Sequence, residues 1–144
     1  MLKVAIIGAG GVIFAQKMVC DLLLDPELRH AEIALMDINP ERLEVARKLD
    51  LRLAEQLGVQ ANFTATTCLE EAVRGAKYVI TLFRVGTIEH ARFEYEIPKK
   101  YGVDRVVGDS MCPGGIFRGL RTLKALFEVV DAMEKFSPGA MLLN

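Results

Sequence analysis

The chain has 144 residues, 18 basic against 19 acidic side chains, three cysteines, no tryptophan and 51% hydrophobic residues, the composition of one ordinary globular domain. A chain of this length buries roughly 70% of its unfolded surface, so it needs neither disulfides nor a structural metal to hold a core. With a net charge of -1 and no basic face it is not built to bind nucleic acid, and no apolar run reaches the roughly 18 residues of a membrane span. Met1-Leu2-Lys3 leads straight into a strand pattern and not into a cleavable signal, so a cytoplasmic protein is expected. Cys20, Cys68 and Cys112 match neither a metal spacing nor a disulfide framework, which fits a reducing compartment.

Taken in chain order, apolar strand-like runs alternate with helix-period segments. Strands are predicted over residues 3–8, 32–37, 62–66, 77–83, 104–107 and 140–144. Between the first two, Val12, Ile13, Met18, Val19, Leu22 and Leu23 share one helical face and predict a core-facing stripe. The next helix has Asn39 as N-cap and Pro40 at its first position, then Leu43, Ala46, Leu49, Leu53 and Leu57, closed by Gly58. A short helical turn is expected over 70–73 and a helix over 89–101 interrupted by Pro98. A long helix carries Ile116, Leu120, Leu123, Phe127, Val130 and Met133. Strands alternating with helices predict an α/β fold with a doubly wound parallel sheet of about six strands. This is the Rossmann arrangement of lactate and malate dehydrogenases, filling residues 1–144 as one dinucleotide-binding domain.

Gly8-Ala9-Gly10-Gly11 follows the first strand and opens a helix at Val12, the context in which small residues let the backbone approach a pyrophosphate at a helix N-terminus. The third glycine of the usual spacing falls at Ile13, which predicts looser packing of helix on strand there. Asp37, ending the second strand, stands where a carboxylate accepts from both hydroxyls of an adenosine ribose. It would repel a 2′-phosphate, so NAD is favoured over NADP, with Arg42 the one nearby residue that argues the other way. Gly8, Gly10, Gly11, Val12, Ile13, Asp37 and Arg42 are therefore the candidate cofactor residues. A plain tight turn and a strand-end cap are their alternatives.

The segments Phe83-Arg84-Val85-Gly86, Glu96-Ile97-Pro98-Lys99-Lys100-Tyr101-Gly102-Val103, and Gly108-Asp109-Ser110-Met111-Cys112-Pro113-Gly114-Gly115-Ile116 running on to Thr122 resemble glycoside hydrolase family 4. Ser137-Pro138-Gly139-Ala140-Met141-Leu142-Leu143-Asn144 and the Met36-Asp37-Ile38-Asn39 stretch are similar to that family as well, so the resemblance covers essentially the whole chain. The resemblance implies an NAD-dependent sugar hydrolase that oxidises, eliminates, adds water and reduces, with a divalent metal of the manganese type. It implies that Asp109 lies beside the sugar and supports the catalytic base, that Asn144 contacts sugar, and that Arg84 or Arg92 reaches the substrate. The metal-holding cysteine and histidine and the base follow the Asn144 position in the family. No metal ligand is therefore assigned here, Cys112 included, and the chain by itself is expected to hydrolyse nothing.

The resemblance points to an unphosphorylated α-galactoside, α-glucoside or hexuronide as substrate. A face left for a second domain favours self-association, so a homo-oligomer is expected. The alternatives are the cofactor domain of a lactate- or malate-type 2-hydroxy acid dehydrogenase, in which Pro113-Gly114-Gly115 has no place, and a nucleotide-binding module without catalysis.

Overall fold

A computed structural model describes residues 1–104 and 111–144. Ten elements follow one another: β1 (Lys3–Ile7), α1 (Val12–Leu24), β2 (Glu32–Met36), α2 (Pro40–Leu57), β3 (Asn62–Thr66), α3 (Leu69–Val73), β4 (Tyr78–Thr81), α4 (Ile88–Lys100), α5 (Pro113–Phe136) and β5 (Met141–Leu143). The five strands form one sheet in the order β3-β2-β1-β4-β5, every neighbouring pair parallel. This is the doubly wound α/β fold expected, with its topological switch between β1 and β4. The sixth expected strand, over 104–107, falls outside the described residues beyond Asp104, as does Asp109.

The chain divides into two compact units, Met1–Phe83 with Asp131–Asn144, and Arg84–Val130. In the first, β1, β2 and β4 are buried almost throughout, whereas the edge strands β3 and β5 alternate between exposed and half-buried. Continuous apolar runs are what a parallel sheet covered on both faces selects, and only its edges can afford polar positions. The helical faces are narrower than their apolar residues suggest. On α1 the buried positions are Ala15, Val19 and Leu23, with Met18 and Leu22 packed beside them. Val12 and Ile13, expected in that stripe, are exposed, Ile13 at 80%. Two residues on from Ile13, Ala15 is the small side chain that enters the core.

The second helix starts and stops as its sequence dictates. The Asn39 side chain accepts from the Arg42 amide at 3.0 Å, Pro40 fills the first turn, and Gly58 takes the left-handed conformation at φ 66°. Its buried face, however, is Leu43, Ala46, Asp50 and Ala54, with Leu53 and Leu57 partly buried against the core and Leu49 half-buried. In the second unit, α4 runs through Pro98, two residues before its end, and the Pro98 carbonyl accepts from Tyr101 at 3.0 Å and Val103 at 3.1 Å as the helix closes. The resemblance-bearing stretch of α5 leaves Ile116, Leu120, Leu123 and Phe127 exposed, at spacings of four, three and four. No helix among the described residues is long and apolar enough to cross a membrane.

Asp50 is the one acid in the core among the described residues, 1% exposed, with Oδ2 lacking any hydrogen-bond partner. Burial pushes its carboxyl up to about 6. An acid whose folded value is raised binds its proton more tightly in the fold than in the open chain. Its contribution is therefore most favourable below about pH 4, declines as pH rises to about 6, and is level above that. Asp50→Asn removes this dependence. Its stability relative to wild type, from urea unfolding, is expected to improve by about 2–3 kcal/mol between pH 4 and pH 7, and a pH-independent difference would refute the assignment.

Candidate cofactor site

The turn between β1 and α1 is built by backbone hydrogen bonds that demand small residues. The amides of Gly8 and Ala9 both donate to the Met36 carbonyl, at 2.8 and 2.9 Å, which fastens the turn to the end of β2. Gly8 adopts φ 93°, and a Cβ there would lie 2.9 Å from the backbone of Leu82 and Phe83, so both conformation and space require glycine. The Gly10 amide donates to Asp37 Oδ2 at 2.8 Å, and a Cβ on Gly10 would come within 2.7 Å of the same oxygen. Gly11 is the N-cap of α1, with its amide donating to the Gly8 carbonyl at 3.2 Å, but a Cβ there would meet only ordinary contact distances.

Three features make this end of α1 receptive to an anion. The helix has no side-chain cap and no acidic residue in its first turn. Its first backbone bond runs from Ala15 to the Gly11 carbonyl, leaving the amides of Val12, Ile13 and Phe14 directed out of the helix end. The exposed Ile13 and Phe14 side chains do not obstruct those amides from within the turn.

Asp37 is more deeply engaged than a ribose ligand alone requires. Oδ2 takes the Gly10 amide and Oδ1 takes the Asn39 amide at 2.9 Å, so one carboxylate joins the glycine turn to the start of α2. Each oxygen keeps a second lone pair, enough for a vicinal diol. Beside it lies an open groove of about 450 Å³ lined by Gly10, Val12, Glu41, Arg42 and Val45. Sequence reasoning missed Glu41 and Val45. Only the helical period, which sets 41, 42 and 45 on the start of one exposed face, could have found them. The structure thus gathers Gly8, Gly10, Gly11, Val12, Asp37 and Arg42, while the Ile13 side chain stands out in solvent.

The remaining predicted residues separate. Asn144 is exposed and its Oδ1 accepts from the Thr81 hydroxyl at 2.7 Å, which leaves the amide NH₂ as the free end. Thr81, a cross-strand neighbour unnoticed in the sequence, thus orients the amide, whose oxygen keeps a second lone pair. Within the second unit, Arg92 is 71% exposed and pairs with Glu96 one turn on, an ordinary solvated helix pair. Arg84 instead reaches Glu94 at 3.4 Å. Among the described residues no three His, Cys, Asp or Glu side chains converge as a metal site would need.

Fold and turn together have the arrangement seen in dinucleotide-binding domains. The sequence profile of the family 4 glycosyl hydrolases matches residues 3–144, and the chain belongs to that family. It is 41% identical over 143 residues to an alpha-galactosidase of Rhizobium meliloti, covering 99% of this chain and 29% of that protein. It is 36% identical over 145 residues to an alpha-galactosidase of Bacillus subtilis, covering 100% of this chain and 34% of that protein. The chain therefore spans about a third of the length of these curated relatives. Among solved structures, the 6-phospho-beta glucosidase of Thermotoga maritima with manganese, NAD+ and glucose-6-phosphate superposes with a TM-score of 0.85 at 28% identity, over 99% of this chain and 33% of that one. A lactate dehydrogenase of Eimeria maxima superposes at 0.65 with 18% identity over 98% of this chain and 34% of that one, a likeness of fold alone.

Because Gly8 meets backbone and Gly10 meets a carboxylate, the two alanine variants should differ in kind. Gly8→Ala is expected to cost about 2–4 kcal/mol of stability by chemical denaturation. Gly10→Ala is expected to cost less, about 1–2 kcal/mol, by displacing Asp37 and breaking its bond to the Gly10 amide. Equal and negligible effects would show that the turn is not packed as described.

Proposed function

We propose that this chain is the NAD-binding part of a glycosidase that opens O-glycosidic bonds through oxidation, elimination, addition of water and reduction, acting on an unphosphorylated α-linked sugar. The observation that carries the reading is the Asp37 carboxylate held between the Gly10 and Asn39 amides beside the uncapped start of α1, within a family 4 sequence. The residues present fit a dinucleotide: the turn receives a pyrophosphate on backbone amides, Asp37 receives the ribose hydroxyls, and Val12 and Val45 wall the groove alongside. Glu41 in that groove joins Asp37 in disfavouring a 2′-phosphate, which outweighs Arg42. Bound there, NAD would supply the acceptor for a hydride from the sugar.

The chain's own part in that chemistry is to bind and orient. Asn144, held by Thr81, offers its NH₂ to a sugar oxygen, and Arg84 offers guanidinium donors from the loop after β4. Asp109 keeps its proposed role beside the base. No metal ligand is placed on this chain, and a divalent metal, base and closing domain belong to the remainder of family members three times as long. The 144 residues alone should hydrolyse no glycoside. The exposed Ile116, Leu120, Leu123 and Phe127 stripe favours self-association, which light scattering over a concentration series would show as growing mass, and constant monomer mass would exclude.

Calorimetric titration tests the cofactor reading. NAD should bind more tightly than NADP, and Asp37→Ala should weaken NAD by about tenfold or more while lowering the melting temperature, since two amides lose their acceptor. A folded chain that takes up neither nucleotide would overturn the reading.

A further inference from the structure

The loop leaving β4 is held within the second unit by a cluster that the cofactor site does not use. Glu94 on α4 has a side chain only 9% exposed, and both its oxygens are engaged by arginines: Oε1 by Arg121 of α5 and Oε2 by Arg84 of the loop, at 3.4 Å. Arg121 is turned inward. Its Nε donates to the Val85 carbonyl at 2.9 Å, and it packs so closely on Gly86, at φ 110°, that a Cβ there would lie 2.7 Å from Nε. Arg84, 42% exposed, keeps the rest of its guanidinium toward solvent.

Two guanidinium groups converging on one small acceptor is the arrangement by which proteins bind an oxoanion such as a phosphate or carboxylate. Here the acceptor is part of the chain. We infer that Glu94 is a resident counter-ion that fills the Arg84–Arg121 cradle and so restricts this loop to sugars uncharged where they meet it. Glu94 is a positioning residue: it offsets one of the two guanidinium charges and occupies the side of Arg84 that faces Arg121, while Arg84 stays part-exposed to donate to neutral hydroxyls. A ligand phosphate or carboxylate would have to displace a carboxylate tethered to the helix, or sit beside it against like-charge repulsion. This deepens the proposed function, on which its meaning for substrate choice rests, by selecting a neutral glycoside over a 6-phosphorylated or uronic one.

The test uses the 144-residue chain, inorganic phosphate and glucose 6-phosphate, followed at the Nε–Hε resonances of Arg84 and Arg121 by NMR. Wild type should show no saturable shift with either anion, whereas Glu94→Gln should gain one at Arg84, with affinity at least about tenfold above wild type. Glu94→Asp, which keeps the charge but withdraws it by one methylene, should fall between them and serves if the glutamine variant does not fold. Saturable phosphate binding at Arg84 in wild type, or no gain in either variant, would overturn the inference. NAD titration of the same samples separates the two ideas. Glu94 lies outside the glycine turn, so wild type and variants should bind NAD alike, and loss of NAD binding in all of them would remove the proposed function while leaving the anion result standing.

Discussion

The carboxylate of Asp37 is the joint on which the nucleotide end of the molecule depends. It accepts one amide from the glycine turn and one from the residue that caps α2, so the two loops at the carboxyl ends of β1 and β2 are set by a single side chain. The parallel register brings Ile7 level with Met36, and the Met36 carbonyl takes the amides of Gly8 and Ala9. The turn is thus fastened at three amides to β2 and its following loop before any ligand arrives. Charge-assisted bonds of this kind each contribute roughly 1.5–3 kcal/mol when buried and less when half exposed, as here. The carboxylate proposed to receive a ribose is therefore part of the fold, so its removal is expected to lower cofactor affinity and stability together.

The rest of the first unit supports that joint by stiffness. β1, β2 and β4 are apolar along most of their length, with the Lys3–Glu32 pair at one end and Thr81, whose hydroxyl donates to Asn144, at the other. In the helical layer Asp50 is the buried acid among the described residues, and its unpartnered Oδ2 lowers stability at neutral pH.

Much of this was legible in the sequence where the signal is local. Asn39, Pro40 and Gly58 each act within a few residues, through a cap, a fixed φ and a left-handed C-terminus, and α2 runs between them. The glycine turn and Asp37 were legible because their spacing is imposed by one strand-turn-helix-strand unit, and the family resemblance rested on loop residues that physical patterning alone would not assign. The failures share a cause. Val12 and Ile13 look like core by period, yet the first turn of α1 projects beyond the sheet, so apolar character did not imply burial. Leu49, placed on the apolar face of α2 by its period, is only half-buried while Asp50 beside it is buried, because adjacent helical positions differ by about 100° and leucine-rich patterns do not fix the face. Arg84 and Arg92 were not distinguishable by resemblance, and their ion pairs, Arg84 with Glu94 ten residues on and Arg92 with Glu96 one helical turn on, are visible only in the fold.

Two carboxylates thus do opposite work in neighbouring stretches of one chain. Asp37 is held by neutral amides, so its charge remains unmatched and available to a ligand's hydroxyl donors. Glu94 is held by two guanidinium groups, so its own charge is consumed and one of their two positive charges is offset. The same residue chemistry thus serves two proposed ends, recognition in one place and exclusion in the other, and the difference lies in whether the groups around the carboxylate carry charge. On that reading, an anion receptor at the helix end and an arginine already paired with Glu94 on the loop after β4 are compatible, because a paired guanidinium competes less for the phosphates that the first would receive.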